Sequence, residues 1–357
     1  YQYVLPYYNF SKNISSNKNW VIDFSSDGSN KLTNTNNLRS RIINDLHIST
    51  LDFYSDHGFK NDINMYFKNL NSLGKNDTKY KSRPSMEIAS IYEASSSLPL
   101  KKINQKSIEY LEPKISFRVN PGDMQNNNST KRIINTDNVF DINRIGSSDT
   151  FEAGKSLTLG VNYKKEYNLN DPISTNEINN FFEFNTATVL RDKKENYVPK
   201  SSTLDMKNSN IFGSIKNHYY SKNELSFIDF LKFDYYFSLD NDFNNLEYNS
   251  FKGEVAFDKL ITSFNFIEEN GPIGETNTLE NSIKYKFDEF NYISFNTRRN
   301  RKINLTEYYD LLYEYKNDCL TAGIKYKKTY YEDRDLKPAE DLMLTFTFYR
   351  LTTYEQE

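Results

Sequence analysis

The residues in this sequence that are best suited to chemistry are three histidines and one cysteine, and they lie far apart. His47, His57 and His218 have no hydrolase motif beside them, and the GxSxG pattern is absent. The phosphate-binding patterns GxxxxGK[ST] and GxGxxG are absent as well. Cys319 alone excludes a disulfide scaffold within the chain and a zinc site built from cysteines. The sequence therefore predicts a protein that is not an enzyme and that holds no cofactor.

Charged clusters offer two further possibilities. Acidic residues at 240–242 and 332–333 could bind calcium, but neither pair has the spacing of an EF-hand loop, so we expect both to be solvated and predict no metal site. A dense basic cluster comprises Arg298, Arg299, Arg301 and Lys302. This cluster either supplies charge at a strand end and its loop, which we favour, or contacts an anion such as phosphate.

The whole chain has the composition of an ordered protein without membrane-spanning helices. Its 357 residues include 45 basic and 48 acidic side chains, so the balance predicts no binding of nucleic acid. The mean hydropathy is −0.77, and no apolar run reaches the roughly 18 residues of a transmembrane helix. The 28 Tyr and 26 Phe residues argue against disorder. Because the sequence starts at Tyr1 without a leader pattern, we expect a processed chain or, preferably, a fragment.

The dominant pattern is alternation with a period of two, which is typical of a strand with two unlike faces. One apolar series comprises Leu231, Phe233, Tyr235, Phe237 and Leu239, and another comprises Leu342, Leu344, Phe346 and Phe348. The chain contains about 17 such runs of roughly 9–15 residues, close to the 9–11 that a membrane-spanning strand needs. The sequence therefore predicts an all-β fold, a transmembrane antiparallel β-barrel with its apolar face towards lipid. A soluble β-sandwich is the alternative.

Loop lengths give an independent indication of topology. Counted back from the last strand, the connections alternate between long and short, and the long ones are 331–340, 268–277, 191–208 and 120–150. Because outer-membrane barrels have short periplasmic turns and long extracellular loops, we predict that these loops are extracellular. The short turns 221–224, 258–259 and 317–318 are then periplasmic. One stretch, 168–177, is longer than the periplasmic turn that the pattern predicts.

Short motifs accompany these runs in a fixed order. Arg83-Pro84 precedes one strand, and Glu112-Pro113 lies within the next. An Asn-Arg pair, a Gly-x-x-Asp step and a Glu-x-Gly strand opening follow, with the residues Asn143, Arg144, Gly146, Asp149, Glu152 and Gly154. A late hairpin, 313–330, contains Cys319. Together these motifs resemble those of the LptD family, outer-membrane proteins that insert lipopolysaccharide into the outer leaflet.

The resemblance to LptD implies a barrel of about 26 strands whose first and last strands meet at a weak seam. It also implies a periplasmic N-terminal jellyroll that receives lipopolysaccharide from a bridge protein, and an LptE-like lipoprotein that plugs the lumen. Since about 17 strands are present and no jellyroll precedes them, we interpret residues 1–357 as the C-terminal part of such a barrel. Leu342, Leu344, Phe346 and Phe348 then lie on the seam strand. Some relatives have a cysteine pair where this chain has Cys319, and the resemblance implies a disulfide to the missing jellyroll.

The predicted function is therefore assembly of lipopolysaccharide in the outer membrane of a Gram-negative bacterium. The expected partners are lipopolysaccharide, the plug lipoprotein, the periplasmic bridge protein and outer-membrane lipids. Three alternatives stay open: a TonB-dependent receptor or porin-type barrel for small solutes, a barrel phospholipase or protease, and a soluble carbohydrate-binding β-protein. A plug domain encoded upstream would favour the TonB-dependent receptor, and a jellyroll encoded upstream would favour the lipopolysaccharide-assembly barrel.

Overall fold

The computed structural model describes residues 2–17, 19–122, 125–167, 180–221, 228–330 and 338–348. Within these ranges the chain forms nineteen β-strands and a 3-10 helix at Lys200–Ser202. The strands are β1 (Gln2–Ser16), β2 (Trp20–Thr33), β3 (Asn37–Thr50), β4 (Phe53–Tyr54), β5 (Lys60–Lys75), β6 (Ser85–Ser97), β7 (Leu100–Ile103), β8 (Ser107–Asn120), β9 (Gly154–Tyr167), β10 (Asn180–Arg191), β11 (Ile211–Tyr220), β12 (Phe230–Leu239), β13 (Leu246–Phe257), β14 (Leu260–Glu269), β15 (Asn277–Lys286), β16 (Asn291–Asn300), β17 (Leu305–Lys316), β18 (Leu320–Thr329) and β19 (Ala339–Phe348).

Consecutive strands pair antiparallel, so the chain forms one meandering sheet. The two short strands β4 and β7 are side branches on β5 and β8, and the main ladder passes from β3 to β5 and from β6 to β8. The other strands are 10 to 16 residues long. The predicted all-β antiparallel fold with about 17 long strands is thus confirmed. No helix in the described ranges is long and apolar enough to cross a membrane.

The strand registers give the sheet one apolar and one polar face. Opposed pairs on the apolar face include Phe251–Phe266, Ile283–Phe295 and Ile324–Leu344. Opposed pairs on the polar face include Glu93–Arg118, Asp234–Lys252 and Asn296–Asp310. Because side chains alternate between faces along a strand, a one-residue slip would exchange the two sets. The period-two pattern of the sequence is therefore the pattern of these two faces.

Two long loops leave the same end of the sheet and pack on its polar face. The first connects β8 to β9, and we call its residues 125–153 the inserted loop. The second, residues 192–210, connects β10 to β11. Their buried apolar side chains form one core with the polar-face residues of β10 and β11; its members are Ile134, Val139, Ile145, Ala153, Val198, Leu204, Ala187, Val189 and Phe212. The main apolar core thus lies between loops and sheet.

On one side, strand β8 changes its pairing partner from β7 to β6 at Pro113. On one side of β8, residues 108–111 pair with β7, whereas residues 114–119 pair with β6. The backbone N–H of Leu98 donates to the Pro113 carbonyl at 3.0 Å, so that carbonyl points towards this junction. Proline has no N–H to donate, and it is tolerated in a strand where the ladder is interrupted. Pro113 therefore lies where the missing N–H does not cost the sheet a hydrogen bond between strands.

Both edges of the sheet are unpaired within the described ranges, because β1 pairs only with β2 and β19 only with β18. The register places Leu344 opposite Ile324 and Phe346 opposite Ala322, so the apolar series of β19 shares the apolar face of β18. The loops predicted at 168–177 and, in large part, at 221–224 and 331–340 lie outside the described residues.

Candidate functional site

The inserted loop is fixed to the sheet by a buried cluster of charged side chains centred on Arg144. This side chain is fully buried and meets Glu152 through two parallel hydrogen bonds, Nε to Oε2 and Nη2 to Oε1, both 2.6 Å long. Its remaining donors reach β9, where Nη2 donates to Ser156 Oγ and Nη1 to Thr158 Oγ1, each at 2.8 Å. The planar guanidinium suits this arrangement, because its donors form a fixed fork that matches a carboxylate.

Glu152 is the carboxylate shared by three arginines. Besides Arg144, it accepts a hydrogen bond from Arg191 at the end of β10, and Arg118 Nη1 lies 3.8 Å from its Oε2. Burial alone would raise the pKa of Glu152, but the charges of Arg144, Arg191 and Arg118 outweigh it and lower the pKa to about 2. Glu152 is therefore ionised at neutral pH and neutralises part of the buried positive charge.

Arg118 extends the cluster to a neighbouring strand. Its Nε and Nη2 donate to Glu93 Oε2 on β6 at 3.0 and 2.5 Å, and Nη2 also donates to the Asp141 carbonyl at 2.7 Å. The cluster thus joins β6, β8, β9 and β10 to the inserted loop, with three arginines against two glutamates. Breaking one partner of such a set leaves an uncompensated buried charge, which is strongly destabilising.

A second anchor lies at Asp149, whose side chain is fully shielded from solvent. Its Oδ2 accepts hydrogen bonds from Tyr80 at 2.5 Å and lies 2.8 Å from Lys79 Nζ, while Ser147 Oγ donates to Oδ1. Burial tends to raise the pKa of Asp149, but the bonds from Lys79 and Tyr80 lower it overall. Burial, and then the same carboxylate, raise the pKa of the Tyr80 hydroxyl. This anchor ties the inserted loop to the loop between β5 and β6.

Further contacts carry the inserted loop across the polar face in both directions. The neighbouring Ser148 accepts hydrogen bonds from Arg41 of β3 and Lys68 of β5, at 3.0 and 2.8 Å. Towards the later strands, three bonds join the loop to β11, β12 and β14: Thr136 Oγ1 to Ser214 Oγ at 2.9 Å, Tyr236 OH to Asp137 Oδ2 at 3.0 Å, and Lys131 Nζ to Glu269 Oε2 at 2.6 Å. The loop therefore lies across the polar face from β3 to β14.

Two glycines of the motifs are required by backbone geometry. Gly146 and Gly154 have φ angles of 67° and 84°, in the left-handed region that other residues rarely adopt. A Cβ on Gly154 would also lie 3.1 Å from Arg191 Nη2, inside the ion-pair cluster. Glycine at these two positions therefore allows backbone conformations that another residue would strain.

The motif residues therefore divide into two groups. Those of the inserted loop and the start of β9 come together: Asn143, Arg144, Gly146, Asp149, Glu152 and Gly154. Arg83 and Pro84 are exposed just before β6, and Glu112 lies on the polar face of β8 while Pro113 lies on the apolar face, away from the cluster. Glu93, Arg118 and Arg191 complete the cluster, but their sequence pattern does not distinguish them from other polar-face residues of the strands.

The remaining candidates lie elsewhere. Cys319 is a free, exposed thiol in the turn before β18, and its proposed disulfide partner is outside this chain, so the disulfide stays a prediction. In the basic cluster, Arg298 Nε lies 2.8 Å from Glu307 Oε2, Arg301 stacks over the Phe266 ring, and Lys302 pairs with Glu275. These contacts fit charge supplied at a strand end and loop. Among the described residues, no group of three or more His, Cys, Asp or Glu is placed to hold a metal ion.

Beyond the inserted loop, the polar face carries an open groove of about 590 Å³ on β12 to β17. Its lining is charged and amide-rich, with two lysines against four carboxylates: Lys232, Lys252, Asp234, Glu254, Glu280 and Asp310. Hydrogen bonds link its side chains across strands: Ser282 Oγ donates to Asn296 Oδ1 at 2.6 Å, and Asn296 Nδ2 donates to Asp310 Oδ1 at 2.7 Å. A hydrophilic groove of this kind suits a hydroxyl-rich or charged molecule rather than an apolar one.

Comparisons with known proteins do not identify a family for this chain. No protein-family model matches the chain, and no curated protein matches it. Among solved structures, the BamA protein of Haemophilus ducreyi lacking POTRA domains 1–3 matches with a TM-score of 0.23 and 9% sequence identity, covering 98% of this chain and 70% of that chain. A similarity this low carries no argument about fold or function.

Proposed function

We propose that this chain forms part of the wall of an outer-membrane β-barrel that assembles lipopolysaccharide in the outer leaflet. The observation that carries the proposal is the two-faced sheet itself: long strands with a mainly apolar face and a charged face on which two long loops are packed. Such alternation over strands of 10 to 16 residues fits a wall between lipid and water. The proposal is for a transport component without enzymatic activity.

The inserted loop favours this function over an open diffusion pore. It occupies the polar face from β3 to β14 and is held by buried ion pairs, so it would obstruct a lumen rather than leave it open. The residues that resemble the LptD pattern, above all Arg144 and Glu152, are the ones that hold it. The hydrophilic groove on β12 to β17 would face the sugar hydroxyl groups of lipopolysaccharide, and the apolar face would contact outer-membrane lipid.

The test is depletion of the protein encoded by the complete reading frame, followed by measurement of lipopolysaccharide on intact cells. Surface lipopolysaccharide is labelled through its sugars with an impermeant reagent and compared with the total after lysis. We expect the surface fraction to fall while the total persists. Normal surface labelling together with lost uptake of a small solute would contradict the proposal and favour the receptor or porin-type alternative.

Complementation of the depleted cells with a matched pair of variants tests which face of the sheet lipopolysaccharide transport depends on. Ser282→Trp places a large ring in the hydrophilic groove, whereas Ile283→Trp places the same ring on the apolar face of the same strand. We expect Ser282→Trp to lower the surface fraction and Ile283→Trp to leave it near wild type. Heat-modifiable migration on gels confirms that both variants are folded. Equal effects would contradict a path along the polar face.

A further inference from the structure

Midway along β2 and β3, and on the adjoining β5, the apolar face carries a row of polar side chains. Ser26 lies opposite Asn44, and Asn44 lies opposite Asn69, so these three stand side by side on neighbouring strands. Ser26 Oγ donates to Asn44 Oδ1 at 2.7 Å, and Asn44 Nδ2 donates to Asn69 Oδ1 at 3.2 Å. Asn71 Nδ2 also donates to Asn69 Oδ1, at 2.7 Å. We call these four residues the polar row.

The polar row does not lie at a rim of the apolar face. Towards one end of the strands, Phe24 lies opposite Leu46, and Leu46 lies opposite Phe67. Towards the other end, Leu32 lies opposite Leu38. If these strands span a bilayer, apolar side chains bracket the row on both sides and place it at the depth of the hydrocarbon rather than the headgroups. Polar groups at that depth are costly and are rarely left facing lipid.

Two groups of the polar row make no hydrogen bond within the part of the chain that the structure describes. They are the Nδ2 donor of Asn69 and the Oδ1 acceptor of Asn71, and both residues are only partly buried. A side-chain amide carries two N–H donors and an acceptor oxygen, so the same amide in two copies of the chain can pair with itself. Exposed apolar side chains surround the row, namely Ile42, Met86 and Ile88.

We propose that the polar row is the centre of an interface between two copies of this chain in the membrane. Two copies inserted in the same direction are related by a two-fold axis along the membrane normal, so groups at one depth meet the same groups of the other copy. Asn71 of one copy then meets Asn71 of the other, and each Oδ1 accepts from the second N–H of the opposite Nδ2, whose first N–H is donated to Asn69. The inference rests on the proposed function only in requiring that the strands span a membrane.

The experiment uses disulfide cross-linking of the full-length protein in isolated outer membranes. Asn71→Cys is made in a Cys319→Ser background, and Ile283→Cys, exposed on the apolar face of β15, is the control. After oxidation with copper phenanthroline, we expect a reducible band at twice the monomer mass from Asn71→Cys, at least tenfold stronger than from Ile283→Cys. Collisions between freely diffusing monomers would give similar bands from both positions.

A second set of variants asks whether the amides themselves hold the copies together. With Ile42→Cys as the reporter, Asn69→Leu removes the unused donor of the polar row and the acceptor that orients the Asn71 amide. The control Asn281→Leu makes the same change elsewhere on the apolar face, opposite Phe264. We expect Asn69→Leu to reduce the cross-linked dimer about tenfold and Asn281→Leu to leave it unchanged.

Four results would overturn the inference. They are equal bands from Asn71→Cys and Ile283→Cys, no dimer from Asn71→Cys, an adduct with a different protein, and insensitivity to Asn69→Leu. If the protein fractionates with the outer membrane in these cases, the proposed function is unaffected. If it is absent from the outer-membrane fraction, the proposed function fails and this inference fails with it.

Discussion

Arg144 of the inserted loop and Glu152, eight residues later, form a bidentate ion pair out of contact with solvent, with both hydrogen bonds 2.6 Å long. The pair joins the two ends of a short segment of the loop. Arg144 also donates hydrogen bonds to β9, and Glu152 accepts one from Arg191 of β10. A charged pair in this position stabilises one arrangement of the loop, because its donors and acceptors are satisfied only when the loop lies against those strands.

The ion pair predicts a large stability difference between two formally similar substitutions. Arg144→Met leaves Glu152 with fewer partners in a buried site, so we expect it to cost about 3–5 kcal/mol. Arg83→Met makes the same change at an exposed motif residue and should stay within about 0.5 kcal/mol of wild type. The measurement is the free energy of unfolding in urea for both variants of the full-length protein. Comparable losses would contradict the role assigned to Arg144.

The low pKa of Glu152 predicts a dependence of stability on pH. The folded-state pKa is about 2 against an ordinary value of 4.5, so the unfolded chain binds more protons between these values and stability falls as pH falls. This shift corresponds to about 3 kcal/mol, fully present above pH about 4.5 and lost as pH falls to about 2. The stability difference between wild type and Glu152→Gln should follow that course. A difference that is constant from pH 6 to pH 2 would contradict it.

The positions of the loops predict which residues are accessible on intact cells. Ser129→Cys in the inserted loop and Asn270→Cys between β14 and β15 are exposed at the end of the sheet that we predict to be extracellular. Lys259→Cys lies in the tight turn at the opposite end. In a Cys319→Ser background, an impermeant maleimide should label the first two variants and not the third. Labelling of Lys259→Cys alone would show that the orientation is inverted.

The two faces of β19 predict unequal tolerance of charge. Phe346 lies opposite Ala322 on the apolar face, and the adjacent Thr345 lies opposite Gly323 on the polar face. A lysine on the lipid side near the bilayer midplane should cost about 2–4 kcal/mol, and much less on the other side. Heat-modifiable folding of Phe346→Lys and Thr345→Lys should therefore differ. The assignment of β19 to the membrane would be wrong if the two variants behaved alike.

Cys319 is predicted to be paired in the complete protein. The thiol is exposed in the turn before β18, on the side of the sheet that we assign to the periplasm, where disulfides persist. Non-reducing gels of the full-length protein should show a mobility shift that reductant and Cys319→Ser both abolish. A Cys319 that reacts freely with maleimide in the mature folded protein would contradict the pairing.

The strands were predictable from the sequence, whereas the anchoring of the loops was not. Alternation as in 231–239 reports directly which side chains share a face, because the period of a strand is two. The bond between Arg118 and Glu93 depends on register, and the bond between Arg191 and Glu152 depends on a loop that has no periodicity. The motif around Arg144 marks the loop, but which strands supply its partners is evident only from the fold. The side strands β4 and β7 have only two and four residues, so they are too short to show an alternating pattern in the sequence.

The span of the inserted loop also constrains the order of folding. Neighbouring strands pair soon after both exist, but Lys131 contacts Glu269, which follows it by 138 residues. Contacts at such separations form late, because chain entropy opposes them until the intervening segments are in place. Contacts of the loop with β3 to β10 can form once β10 is present, whereas its contact with Glu269 must wait for β14. We expect the contact with β14 to complete the docking of the loop late in folding.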